Sequence, residues 1–270
     1  MGPIAGGDVV QGLALALALG AARTIPIVWL VPAFGGRALP VPLRLGIGLL
    51  LASFSLPQLT AGAAGMMSHT PGLAALLLIV ARELLTGAAV GLLLSFFFRA
   101  AEAAGGLADV LRGASFAEVL APDSGRRSSP LAALYLLLAT VIFLELGGVG
   151  RLCVALARSY EALPLGGESP PALGLQAQLQ LVLVASAKLI ESALGLAAPV
   201  IVALLLADLA LGVVGRVTPA LPVYFAAMPL KAALSVGIVL LGLAALDAAL
   251  IAGWPAWLAL AERGLGLHSR

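Results

Sequence analysis

Long apolar runs, each ended by glycine, proline or charge, organise this chain into about six helical regions. The first run, Val9 to Phe34, contains Arg23, Pro26 and Pro32 and closes on a turn at Gly35-Gly36-Arg37. A second run spans about Val41 to Leu59, and the polar stretch from Gln58 to Gly72 leads into a third, Leu73 to Phe98. That third run continues as a small-residue helix to about Arg112. Pro122, Asp123, Ser124, Gly125, Ser128 and Ser129 make Gly113 to Pro130 a loop. A fourth run, Leu131 to Leu146, carries on towards Arg158, and a second loop follows from Leu163 to Pro171. Leu175–Gly215 and Pro222–Leu260, joined by Arg216-Val217-Thr218-Pro219, complete the chain. Proline at positions 26, 32, 199, 222 and 229 predicts broken or kinked helices, whose freed carbonyls need neighbouring protein. No repeat of 20–50 residues is visible.

Charge falls inside these runs. Arg82 and Glu83 sit in the third, Lys188, Glu191 and Asp208 in the fifth, Lys231 and Asp247 in the last. A charge at the bilayer centre costs roughly 2.5–3.5 kcal/mol on the mildest insertion scale, so seven unpaired ones would cost on the order of 18 kcal/mol. They must be paired, buried against protein, or turned to a wet path. Between Lys188 and Asp247 no charge-free interval reaches the roughly 18–20 residues of a simple spanning helix. The expected fold is therefore all-α and integral-membrane-like, built of hydrophobic helical hairpins with broken helices.

Composition narrows the function. Of 270 residues 61% are hydrophobic and 10% charged, and the mean hydropathy of +1.12 is that of a membrane protein. Abundant Ala, Leu and Gly suit helices packed closely through small residues. A net charge of +2, with no basic run longer than Arg126-Arg127, gives no support to nucleic-acid binding. Basic residues occur in most loops, so charge bias does not orient the chain. The opening MGPIAGGDVVQG lacks the basic region of a cleavable signal peptide, and Gly6 stands where myristoylation needs Ser or Thr. One cysteine, Cys153, excludes an intrachain disulfide and reads as an apolar packing residue. With His69 and His268 as the two histidines, no HExxH or two-histidine metal set exists, and no Walker motif or GxGxxG appears. Gly113-Ala-Ser-Phe-Ala117 lacks the closing glycine of a nucleophile elbow. Neither an enzyme nor a cofactor is expected.

Four charges stand out. Arg99, Glu102, Asp109 and Arg112 fall within an arc of about 140° on one helix, as two opposite-charge i,i+3 pairs. The small residues between them allow a close neighbour. The arrangement reads either as a buried interface or pore-proximal stripe, or as a self-neutralised solvated face. Lys188 and Glu191 are a further i,i+3 pair, whereas Arg82 and Glu83 diverge by about 100° and need partners elsewhere. Asp208 and Asp247 are either proton-relay carboxylates or structural hydrogen-bonding groups. Gly87 and Gly91 form a GxxxG spacing that fits close helix packing, and Met228-Pro229 marks a kink or an unwound turn.

Pro32–Ala52, Ala81–Gly91, Arg112–Pro130 and Arg216–Leu241, in this order, resemble the T/R family of the type III secretion export apparatus. The sequence Asp109-Val-Leu-Arg112-Gly113-Ala114 resembles the injectisome branch, as does Ala227-Met228-Pro229-Leu230-Lys231, while Ser115-Phe116-Ala117 looks more flagellar. The resemblance implies a single-copy subunit of a helical hetero-oligomeric export gate in the bacterial inner membrane. Its partners would be several copies of two smaller hydrophobic subunits, of R/P and S/Q type, and the U/B-type switch protein, with unfolded secreted proteins in transit. It implies that segments 175–270 form a hairpin like the smaller gate subunit, following an N-terminal helical region of residues 1–174. It also implies burial in partners largely above the membrane plane, which would account for the charges. Loop 113–130, with Gly113, Ser115, Phe116, Pro122 and Gly125, would be a plug, Phe116 acting as apolar stopper and Gly113 and Gly125 supplying backbone freedom, or else an ordinary surface connector. A proton-coupled secondary transporter using Glu83, Asp208 and Asp247 is the rival class, and a scaffold with no gating role a third.

Overall fold

The computed structural model describes residues 6–35, 39–67, 72–114, 129–165, 175–218 and 223–267. Among them every regular element is helical: α1 (Gly6–Leu30), a 3-10 turn (Pro32–Phe34), α2 (Val41–Ser53), α3 (Leu56–Met67), α4 (Leu73–Leu111), α5 (Pro130–Glu145), α6 (Gly148–Ala162), α7 (Leu175–Val217), α8 (Val223–Leu241) and α9 (Leu243–Gly264). Runs rich in Ala and Leu, the strongest helix formers, explain why α4 and α7 continue unbroken for 39 and 43 residues.

The breaks differ from the sequence expectation. Pro26, Pro199 and Pro229 all lie inside continuous helices. Three runs read as single segments are divided elsewhere. The second ends at Ser53 and turns by 77° into α3, which takes in most of the stretch read as a polar connector. The fourth is interrupted before α6, where Gly147 adopts φ +66°, a conformation costly for any residue with a side chain. The last is divided at Gly242. Proline in an apolar helix is tolerated when neighbours satisfy the freed carbonyl, so these three prolines do not end their helices.

Two compact units interleave in sequence. The first comprises Met1–Phe96, Phe143–Ser186 and Pro255–Arg270. Its α1 and α2 form an antiparallel hairpin: Thr24 Oγ1 donates to the Gly48 carbonyl at 2.6 Å, and a Cβ at Gly48 would sit 3.0 Å from Ile25. The N-terminal half of α4 runs alongside α1 through the GxxxG pair. A Cβ at Gly87 would collide with the Arg23 carbonyl, and one at Gly91 would come within 2.9 Å of the Ile27 Cα. Two glycines one turn apart thus bring two backbones into contact. Helix α6 covers one side with Leu152, Ala155, Leu156, Ser159 and Tyr160, an i, i+3, i+4, i+7, i+8 face. Tyr160 joins Ala16, Leu19, Ala52, Leu59 and Leu165 in the core.

The second unit comprises Phe97–Ile142 and Ala187–Trp254. Phe97 meets Phe98 and Trp254 edge-on at 5.2 and 5.3 Å. The start of α5 lies on α4 at Gly105, where a Cβ would collide with the Leu131 carbonyl. Tyr135, Pro199, Ile238, Gly242 and Leu246 line an apolar cavity of about 330 Å³.

Candidate functional site

Two polar clusters lie in these apolar units, one in each, and between them they hold most of the charges singled out from sequence.

The first is built on Arg23. Fully buried on α1, its guanidinium pairs with the equally buried Glu83 of α4 at 2.6 Å. It also donates to Ser159 Oγ at 2.9 Å and to the Leu163 carbonyl at 3.2 Å, and lies 4.1 Å over the Tyr160 ring. Arg82 donates to Glu83 Oε1 and to the Pro164 carbonyl, both at 3.0 Å. Tyr160 donates its hydroxyl to the Gly20 carbonyl at 3.0 Å. Two arginines and one carboxylate thus close over the end of α6, whose last carbonyls carry partial negative charge. Pairing makes a buried charge tolerable, and the flanking hydrogen bonds to Ser159 and Leu163 occupy further guanidinium donors. Glu83 thus finds partners both on α1 and on its own helix.

The second cluster stands at the two ends of loop 113–130. Buried Asp109, in the last turn of α4, receives Arg112 at 2.7 Å on Oδ1. On Oδ2 it accepts the Ser129 hydroxyl at 2.9 Å and the amides of Leu131 and Ala132 at 3.0 and 3.2 Å. Those amides belong to the first turn of α5, so Asp109 caps a helix that begins 21 residues further along, and ties the loop's two flanks together. Gly113, with φ +86°, ends α4 in the left-handed conformation, and the Ala114 amide returns to the Asp109 carbonyl at 3.0 Å. Lys231 of α8 donates to the Leu111 carbonyl at 3.4 Å and pairs with Asp208 of α7. Lysine at a helix C-terminus complements its dipole.

The structure therefore unites Asp109, Arg112, Lys231 and Asp208, read from sequence as members of two separate groups. It divides the Arg99–Arg112 stripe: Arg99 and Glu102 pair at 2.7 Å on an exposed surface, while Asp109 faces inward. Lys188 is half-buried and Glu191 exposed on α7; Pro229 is exposed on α8 and Asp247 half-buried on α9. Ser115, Phe116, Pro122 and Gly125 lie outside the described residues. Arg23, Ser159, Tyr160 and Ser129 were not expected as site residues. Arg23 had a signal, being the single charge in its run; Arg82 and Glu83, read from sequence as diverging, pair with each other as well, because the long arginine side chain reaches back to its neighbour. Among the described residues no group of three or more His, Cys, Asp or Glu could hold a metal ion.

Four of the described helices are long and apolar enough to cross a membrane, and six spans result if two bent helix pairs are each counted as one. Long apolar helices stabilised by internal ion pairs define the class: a helical membrane protein. The model of the family described as "Bacterial export proteins, family 1" matches residues 14–252, and the chain belongs to that family, the T/R proteins of type III export. It is 31% identical over 220 residues to the flagellar biosynthetic protein FliR of Escherichia coli (strain K12), covering 81% of this chain and 80% of that protein. Identity to the surface presentation of antigens protein SpaR of Salmonella typhimurium is 28% over 232 residues, covering 86% and 84%. Yop proteins translocation protein T of Yersinia pestis matches at 30% over 166 residues, covering 59% and 60%.

Proposed function

We propose that this chain is a core subunit of the export gate of a type III protein secretion system in the bacterial inner membrane. One observation carries the reading: the exposed apolar surface of α7 is too long for a bilayer. Large exposed apolar residues run from Leu179 to Val217, about 57 Å at 1.5 Å per residue, against a hydrocarbon core of about 30 Å. Exposed Glu191 and half-exposed Asp208 interrupt that surface. Lipid suits neither its length nor its charges. Partner subunits suit both, because their apolar helices can cover the length and their polar groups can answer Glu191, Asp208 being already paired with Lys231. The partners in this reading are several copies of two smaller subunits, of R/P and S/Q type, and the U/B-type switch protein, with residues 175–270 forming the hairpin that resembles the smaller subunit.

Unfolded protein passes through the assembled channel, and loop 113–130 closes it, with Phe116 as stopper. The Asp109 cap supports this role, since a loop whose flanks are fastened to each other can shift without unravelling α4 or α5. The chain acts as a channel component and not as an enzyme. The Asp109–Ala114 pattern favours an injectisome; a flagellar export gate is the alternative within the family. The rival proton-coupled transporter is disfavoured because two of its three relay carboxylates, Glu83 and Asp208, are held in ion pairs.

Co-expression with the two smaller subunits, then native mass spectrometry of the detergent extract, tests the assembly. A defined hetero-oligomer with one copy of this chain is expected. A stable lone monomer that ignores both subunits would refute it.

A further inference from the structure

Arg44 lies in the first turn of α2, where a cation is opposed by the helix dipole. It is 9% exposed, and its Nε is buried with no acceptor. No carboxylate among the described residues lies within ion-pair distance, and α2 contains no acidic residue. Its neighbour is the Trp29 ring, 4.9 Å below the guanidinium. A ring quadrupole offsets some of the cost of burying a cation but supplies no anion.

The surroundings say what the anion is attached to. Trp29 is 47% exposed and sits one residue before the end of the apolar span Gly12–Leu30. Tryptophan at the end of such a span is characteristic of the headgroup level of a bilayer. Because α1 and α2 are antiparallel, Arg44 enters at the same level. Beyond it along α2, Leu45, Leu49, Leu50 and Phe54 are exposed, an apolar surface of about 15 Å, half the hydrocarbon core.

We propose that Arg44 and Trp29 form a binding site for the phosphate of an anionic phospholipid, whose acyl chains lie along the exposed face of α2. Free phosphate would answer the charge and leave the leucines in water. A lipid answers both at once, with the indole at the glycerol level and the guanidinium on the phosphate. The site needs only the membrane, not the export assembly.

Trp29 makes the test direct, because Trp254 and Trp257 are buried at 1% and 2% exposure. The full chain, alone and in its purified assembly, is reconstituted into phosphatidylcholine vesicles. These carry a minor fraction of acyl-brominated phosphatidylglycerol or acyl-brominated phosphatidylcholine, and tryptophan quenching is read. Brominated phosphatidylglycerol is expected to quench about fivefold more effectively, the preference one basic residue near an anionic surface provides. Trp29→Phe should remove the quenched emission, Arg44→Gln should abolish the preference, and Arg44→Lys should keep some of it. Retained emission from Trp254 and Trp257 reports that the variants are folded. Equal quenching by the two lipids in the wild-type chain, or a preference that survives Arg44→Gln, would overturn the proposal. So would a preference lost on assembly, which would assign this face to a partner subunit's carboxylate.

Discussion

Replacing Glu83 by leucine removes the single carboxylate from a cluster holding two arginines. Arg23 would remain fully buried, left with Ser159, the Leu163 carbonyl and the Tyr160 ring. Breaking a buried pair from one side costs about 3–5 kcal/mol, because the surviving charge keeps its desolvation penalty and loses its attraction. Arg23→Met should cost less, since Glu83 keeps Arg82 at 3.0 Å, whose side chain is 21% exposed and partly hydrated. The double variant Arg23→Met/Glu83→Leu takes both charges out of the core and leaves Arg82 its Pro164 carbonyl. Apolar replacement of a whole buried pair is often neutral or stabilising, so the double variant should be the most stable of the three. Unfolding of the detergent-solubilised chain reads this directly, the apparent melting temperature of Glu83→Leu falling on the order of 10 °C. The coupling energy from the cycle should be several kcal/mol in favour of the pair. If the double variant is the least stable, or all three lie within about 1 kcal/mol of wild type, the buried pair is not what organises this unit.

Asp109→Ala should speed amide exchange at the start of α5 and cost about 0.5–2 kcal/mol, the range for a lost N-cap, while Asp109→Asn should restore most of it; equal effects of the two would mean that the Arg112 charge pair dominates. Gly87→Ala should destabilise by about 1–3 kcal/mol because its Cβ would meet the Arg23 carbonyl, whereas Gly106→Ala, with no atom within 4 Å, should gain about 0.5–1 kcal/mol in the isolated chain; matching melting temperatures would refute the close approach. Phe116→Ala, or deletion of loop 115–128, should raise small-molecule leakage through the assembled gate, and unchanged leakage would end the plug role.

Helical content was legible from sequence because an apolar run without turn residues leaves few alternatives. The breaks were less legible. Position 147 reads as one of 32 glycines until its backbone angle is known, and Pro199 looks like a breaker until α7 is seen to pass through it. Charges within one turn of each other, such as Asp109 and Arg112, could be matched from spacing alone. Glu83 with Arg23, and Lys231 with Asp208, could not, because 60 and 23 residues separate them and only tertiary packing selects the partner. The cap that Asp109 places on α5 was hidden for the same reason: its donors are ordinary backbone amides and one serine in a serine-rich loop.

The long-range bonds of Arg23 also set a schedule for synthesis. Glu83 follows it by 60 residues, Ser159 by 136 and the Leu163 carbonyl by 140. At roughly 5–20 residues per second, α1 waits about 3–12 s for its carboxylate and about 7–28 s for the rest. During that interval the first segment carries an arginine whose native partners do not yet exist. Its packing is therefore finished only after α6 has emerged, and any chain ending before residue 163 leaves this charge incompletely matched.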